Sequence, residues 1–175
     1  MTTTIEKSFS VDASIDKVWA LLNEPDVLVA CLPGASLTEK VDDANYKGEV
    51  NMKFGPVKAS YTGLITFEDI DHDAKTMKMI GKGTDTKGKG GAGMVMEAKV
   101  SEKDGSTNVD YTIQIDVTGM MAQFGARLIG DVSNSIFDDF QKHFQAAIQG
   151  EEIDNSLKAG KMTGTVLKSI FRGKK

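Results

Sequence analysis

The sequence predicts an α+β fold in which a curved antiparallel sheet wraps around a long C-terminal helix, with two short helices after the first strand. Apolar and polar side chains alternate through much of residues 35–118, which is typical of strands that bury one face. Apolar residues then recur at every fourth position from Phe124 to Ile148, as in a long helix. The 175-residue chain suits one domain, which we place at residues 1–150, followed by a tail at residues 151–175.

The first three elements have clear boundaries. Residues 5–11 alternate in polarity and predict an opening strand. Ser14 is a good N-cap for a first helix, and Pro25 ends that helix and suits the first position of a second one. The pair Pro33-Gly34 should end the second helix.

The middle of the chain predicts about six or seven antiparallel strands. Gly55-Pro56 should form a turn between two of them, and the polar run Asp69–Lys75 a loop. Because a long helix crossing a concave sheet seldom fills the space beneath it, we expect an interior cavity. The side chains predicted to face this cavity and bind a ligand are Trp19, Phe54, Tyr61, Ile65, Phe67, Met79, Met94, Met96, Tyr111, Ile113, Phe124 and Leu128.

Methionines are frequent in that set, and the chain has nine of them. Methionine is flexible and polarizable, so it suits an adaptable apolar ligand surface, but it also fills gaps in ordinary cores. Glycines at positions 48, 63, 81 and 83 interrupt the bulky alternation and either leave room or allow bends. The arrangement as a whole favours an apolar ligand.

Charge is distributed unevenly along the chain. Six basic residues and one acidic residue lie between Asp154 and Lys175, a net charge of +5, which leaves −9 for residues 1–153. An acidic body argues against nucleic acid as a partner, whereas a short basic tail is attracted to anionic surfaces. The N-terminal segment has no apolar stretch of signal-peptide length, so we expect a cytoplasmic protein.

The tail has the pattern of a basic amphipathic segment that lies on an anionic membrane surface, although a disordered or back-packed tail is the alternative. Its glycines make a poor helix in water, so we expect it to fold on contact. The residues predicted to bind the membrane are Leu157, Lys158, Lys161, Met162, Val166, Leu167, Lys168, Ile170, Phe171 and Arg172.

The sequence contains partial matches to catalytic and metal-binding motifs, but each lacks a residue or a structural context that the motif requires. Residues 88–93 match G-x-G-x-x-G, but strands are predicted on both sides, which favours a turn. Asp69, Asp71 and Asp73 lack the glycine and glutamate of a calcium loop. Cys31 lies in an apolar segment and should be a buried, inert thiol, and His143 should face solvent. We therefore predict no catalytic residue, no metal and no covalent cofactor.

Three motifs, the last of them in two parts, resemble one known family. They are Cys31–Ala35, Phe54–Ala59 with Gly63, Val117–Gly119 and Ala122–Ile129, and together with their surroundings they look like the CoxG family of carbon monoxide dehydrogenase subunits over about residues 3–149. That family belongs to the START-like helix-grip superfamily. The resemblance implies a non-catalytic accessory protein that recruits a molybdenum hydroxylase of the carbon monoxide dehydrogenase type to the inner face of the membrane. It also implies a quinone-like lipid ligand that accepts the electrons.

Two alternatives remain open. A small-molecule cyclase or hydratase on the same fold needs a polar acid or base inside the cavity, for which Tyr61, Tyr111 and Glu97 are the candidates. A pure protein-interaction subunit would instead have a filled core.

Overall fold

A computed structural model describes residues 2–54 and 57–150 of the chain. Seven antiparallel strands form one sheet in the order β1-β7-β6-β5-β4-β3-β2. The strands are β1 Thr2–Val11, β2 Ala35–Lys40, β3 Asn45–Phe54, β4 Val57–Asp71, β5 Thr76–Asp85, β6 Gly91–Lys103 and β7 Ser106–Val117. The helices are α1 Ile15–Leu22, α2 Pro25–Cys31, a 3-10 helix Gly119–Phe124 and α3 Gly125–Ile148. The predicted fold class is confirmed.

The two short helices begin where their capping residues predict. The Ser14 hydroxyl accepts a hydrogen bond from the Lys17 backbone N–H at 3.3 Å, which satisfies one of the free donors at the start of α1. Pro25 occupies the first turn of α2, where its missing N–H does no harm. Gly34 has a φ of 78°, a conformation that favours glycine, and it turns the chain from α2 into β2.

The sheet buries one face, as the alternation predicts. In β1, Ile5, Phe9 and Val11 are buried while their neighbours face solvent. The glycine-rich run 88–93 spans the turn between β5 and β6 and the start of β6, where the Asp85 N–H donates to the Gly90 carbonyl at 2.9 Å. A strand on each side excludes the dinucleotide-binding geometry, which needs a helix after the glycines.

The long helix starts one residue later than its apolar stripe suggests. Phe124 ends the 3-10 helix, and Gly125, with a φ of 85°, is the first residue of α3 and marks the change from one helix to the other. The 24 residues of α3 extend for about 36 Å. In its second half, Phe144 and Ile148 are buried in the main core, where Phe144 meets Phe9 edge to face with ring centroids 6.1 Å apart.

One sequence-based expectation about α3 is wrong. His143 is half-buried rather than turned to solvent, and its Nδ1–H donates to the Cys31 carbonyl oxygen at 2.9 Å. This bond satisfies a carbonyl at the end of α2 and ties that end to α3. Among the residues that the structure describes, no helix is both long and apolar enough to cross a membrane.

Candidate functional site: an apolar cavity under the long helix

A cavity of about 270 Å³ lies between the sheet and the first half of α3. Its wall comes from α2, from strands β2 to β7, from the 3-10 helix and from α3 as far as Phe137. Almost all of this wall is apolar. The site therefore suits an apolar molecule, since such a lining gains free energy by removing apolar surface from water.

The cavity exists because α3 lies close to only part of the sheet. The helix packs closely against β1, α1 and α2. Over β3, β4 and β5 the cavity separates it from the strands. Gly81 adds to the space, because a Cβ built there would meet only Met94, at 3.7 Å from its Cε. Gly63 differs, since a Cβ there would collide with the Lys82 carbonyl oxygen, so this glycine allows close backbone approach.

Seven of the residues predicted to face the cavity are part of its wall. They are Tyr61, Ile65, Phe67, Met79, Met94, Phe124 and Leu128. The side chain of Phe54 lies outside the described part of the structure. That these residues bind a ligand stays a prediction.

Four others predicted to face the cavity lie elsewhere, namely Trp19, Met96, Tyr111 and Ile113. They belong to the main core, which lies on the same inner face of the sheet as the cavity but in the region that α1 and the second half of α3 cover directly. Trp19 donates its Nε1–H to His72 Nδ1 at 2.9 Å, and the Tyr111 hydroxyl accepts from Gln141 Nε2 at 3.0 Å. These four side chains are not part of the cavity wall, and that they bind a ligand stays an untested prediction.

Other wall residues come from segments that the sequence analysis did not assign to the site. Leu28 and Leu32 come from α2 and its end, and Tyr46 and Met52 from β3. Two signals could have found them: the alternation of β3 places Met52 on the same face as Tyr46, and Leu28 and Leu32 share one side of α2. The remaining additions include Val117, Met121, Ile129, Val132, Ser133, Ile136 and Phe137.

Polar chemistry in the wall is limited. Burial, with a smaller contribution from the negative charge of Asp85, raises the pKa of Tyr61, so its phenol is protonated at neutral pH. Of the other acid–base candidates, Tyr111 lies in the core, and burial likewise raises its pKa. Glu97 points to the outer face of the sheet, opposite Lys78 and Thr112. Tyr61 can donate a hydrogen bond, but these three groups form no acid–base pair in the cavity.

Cys31 is buried beside the cavity wall at the end of α2. Burial raises the pKa of its thiol to about 12, which keeps it protonated and unreactive. The prediction of a buried, inert thiol agrees with this placement.

The cavity reaches the surface near the start of α3. Leu128 is 38% exposed although it is part of the wall, and the wall residues Phe124 and Met52 are half-buried. Because Met52 and Phe124 pack against the same cluster, we place a mouth of the cavity between the beginning of α3 and the end of β3. An apolar ligand entering there would first meet apolar side chains.

Solved structures share this architecture. A conserved protein from Geobacillus kaustophilus is 26% identical, with a TM-score of 0.75 over 85% of this chain and 95% of that one. The Zhui aromatase/cyclase from Streptomyces sp. R1128 is 13% identical, with a TM-score of 0.62 over 85% and 94%. The protein Ara h 8.0201 is 12% identical, with a TM-score of 0.55 over 86% and 100%. The last two likenesses concern the fold alone, which is the helix-grip fold.

Sequence comparison is more specific about the family. No curated protein matches the chain. Residues 8–149, by contrast, match the family described as CoxG, a subunit of carbon monoxide dehydrogenase, and this match covers the end of β1, strands β2 to β7, the cavity and α3. The chain therefore belongs to the CoxG family of carbon monoxide dehydrogenase subunits.

Proposed function

We propose that this protein is a non-catalytic accessory protein that holds a quinone-like lipid in its cavity. In the same role it recruits a carbon monoxide dehydrogenase-type molybdenum hydroxylase to the cytoplasmic membrane and links that enzyme to the quinone pool. The observation that carries the ligand part is the apolar cavity under α3. Family membership supports the enzyme partner.

The size of the cavity suits part of a lipid rather than a whole one. Ligand pockets commonly measure about 300–1,000 Å³, and this cavity of about 270 Å³ lies just below that range. Each buried CH₂ group contributes about 0.8 kcal/mol, so a short isoprenoid segment is enough for useful affinity. Met52, Met79 and Met94 line the wall and can adapt to different chain shapes.

Tyr61 suits the polar head of a quinone. Its pKa is raised, so the phenol keeps its proton and can donate to a quinone carbonyl oxygen. A quinone accepts hydrogen bonds and carries no charge, which fits a wall that is otherwise apolar.

The proposed membrane contact uses the basic tail, residues 151–175, which lie outside the described residues. Each basic residue near an anionic surface contributes about 1 kcal/mol, and the apolar residues of the tail add burial in the lipid. Localisation at the inner face of the cytoplasmic membrane follows from this proposal.

The alternatives have less support. A cyclase or hydratase would need an acid–base pair, and of the three candidates only Tyr61 lies in the cavity wall. An interaction protein with a filled core disagrees with the open space beneath α3.

The ligand proposal is tested by extracting and identifying the lipid that co-purifies with the protein. We expect a quinone from the wild type and none from Phe124→Asp, which places a charge at the mouth. The matched control is Val41→Asp, because Val41 is 49% exposed and outside the cavity wall. Equal lipid content in all three proteins, or none in the wild type, would contradict the proposal.

The tail is tested by deleting residues 158–175. The shortened protein should keep its fold and its lipid but no longer float stably with anionic vesicles. Unchanged flotation would exclude the tail as an anchor.

A further inference from the structure

Three connections and the start of α3 meet at one end of the molecule. Lys53 and Lys58 face each other where β3 and β4 end. The Met120 N–H donates to the Lys89 carbonyl at 3.0 Å, which fixes the 3-10 helix beside the loop between β5 and β6. We call this the basic end, and it comprises residues 52–54, 57–59, 86–90 and 119–128.

The basic end carries five positive charges. The acidic residue that borders it, Asp85 at the end of β5, is buried and accepts a hydrogen bond from the Lys87 backbone N–H at 2.7 Å. The cations of the basic end are Lys53, Lys58, Lys87, Lys89 and Arg127, all of which are exposed. Within the described part of the chain, none of the five forms an ion pair. Lys53 and Lys58 are direct cross-strand neighbours, and like charges in that position destabilise a sheet. Such an arrangement is relieved by an anionic partner.

The opposite end has the opposite charge. The turns that follow β1, β2, β4 and β6 lie there, as the strand registers require. With the last residue of each of these strands, they hold six acidic residues against Lys40, Lys75 and Lys103. The acidic residues are Asp12, Asp42, Asp43, Asp71, Asp73 and Asp104. The folded body therefore has a charge asymmetry along the strands, and an anionic surface would orient it with the basic end inward.

The mouth of the cavity lies within the basic end. Leu128 is exposed beside Arg127, and the wall residues Phe124 and Met52 reach the surface between the charged loops. Exposed apolar side chains surrounded by cations are typical of surfaces that insert among lipid headgroups. Four of the five cations are lysines, which act as point charges on mobile headgroups, whereas fixed carboxylates on a protein partner favour arginine.

We infer that the basic end is a second membrane contact, which docks directly on an anionic bilayer and places the cavity mouth against the lipid. Stable attachment of a peripheral protein generally needs two signals, and the tail and the basic end supply one each. The inference depends on the proposed function only for the identity of the molecule in the cavity, a quinone-like lipid. It gives an apolar ligand a path between bilayer and cavity that avoids water.

The first experiment measures orientation on the full chain. Cys31 is the only cysteine and is buried, so a fluorophore can be attached selectively to a new one. Gln123→Cys places it at the basic end, and Ala74→Cys places it at the acidic end; both sites are exposed and uncharged. On phosphatidylglycerol vesicles that contain a lipid-borne quencher, we expect strong quenching at position 123 and little at 74. Equal quenching, stronger quenching at 74, or vesicle-bound protein with no quenching at either would overturn the inference.

The second experiment separates docking from total charge. Lys87→Glu with Lys89→Glu should weaken binding to the same vesicles at least tenfold, since each lysine near the surface contributes about fivefold. The control is Lys17→Glu with Lys103→Glu, which changes the net charge equally away from the basic end, and less than threefold weakening is expected. Equal weakening by both pairs, or an unchanged affinity for Lys87→Glu with Lys89→Glu, overturns oriented docking.

Lipid content separates this inference from the proposed function. The Lys87→Glu, Lys89→Glu protein should still contain its co-purified lipid, because neither residue is part of the cavity wall. Lipid-free protein that still shows quenching at position 123 alone supports the docking and contradicts the proposed ligand. Lipid-loaded protein without that quenching contradicts the docking alone.

Discussion

Replacing Gly81 by valine should fill part of the cavity without disturbing the sheet. Gly81 pairs with Ile65 and Met94, which both line the cavity, so a side chain at this position points into the open space. A Cβ there would lie 3.7 Å from Met94 Cε, an ordinary contact distance. The two further methyl groups of valine would extend into the space that we assign to the ligand.

The expected magnitudes follow from the buried surface. Burying a valine side chain contributes about 1.5–3 kcal/mol, and glycine weakens a strand interior by about 0.5–1 kcal/mol. Because the cavity is partly open, we expect a net gain in the free energy of unfolding of about 2 kcal/mol, or about 4–8 °C in Tm. If valine displaces two CH₂ groups of the ligand, at about 0.8 kcal/mol each, ligand affinity should fall about 15-fold.

The assay combines thermal unfolding with a fluorescence titration of a short-chain quinone. Gly93→Val is the matched control. The Gly93 backbone lines the cavity, but a side chain at this position, opposite Lys82, would point to the outer face, where a Cβ meets nothing nearer than 3.8 Å. The control should bind quinone like the wild type. If Gly81→Val binds as tightly as the control, the cavity is not the quinone site; if Gly81→Val is strongly destabilised, the space beside Gly81 is not open.

Three further substitutions test other parts of the fold. Burial raises the pKa of Cys31 to about 12, whereas an unfolded thiol ionises near 8.5, so the free energy of unfolding should fall by about 1.4 kcal/mol per pH unit between these two values. Urea unfolding at a series of pH values measures this fall, which Cys31→Ala should lack. The same pH dependence of stability in the variant and the wild type would contradict the prediction. Phe144→Ala should cost about 3–5 kcal/mol in urea unfolding, and a loss below about 1 kcal/mol would show that the second half of α3 does not hold the core. Ser14→Ala should cost about 1 kcal/mol through loss of the cap on α1, and an unchanged urea midpoint would show that the cap contributes nothing.

The sequence predicts much of this fold because the relevant patterns are local. Alternation with period two identifies the buried face of each strand, and the cap at Ser14 and the break at Pro33-Gly34 define the short helices. The same alternation correctly places Ile113 on the inner face, yet it cannot tell whether a cavity or a packed helix covers that face. That difference depends on where α3 crosses the sheet.

Contacts between distant segments account for the remaining errors. Leu28 and Leu32 join the wall because α2 precedes the edge strand β2, and this neighbourhood is set by topology rather than by any local pattern. His143 lies on the side of α3 that meets α2, outside the apolar stripe of the helix. The periodicity of that stripe therefore could not predict its hydrogen bond to the Cys31 carbonyl. Local periodicity shows which face of a helix or strand is buried, whereas the tertiary fold determines which distant segment packs against that face.

The two halves of α3 have different tasks, and this division explains how one fold can be both stable and hollow. Phe144, Ala147 and Ile148 in the second half are buried in the main core, so that half fixes the helix against β1 and the short helices. Leu128, Val132 and Ile136 in the first half line the cavity and are not part of the main core. The apolar surface that they leave unburied would cost stability in an empty protein. A bound apolar ligand recovers that free energy, because it covers the same surface and binds only to the folded state.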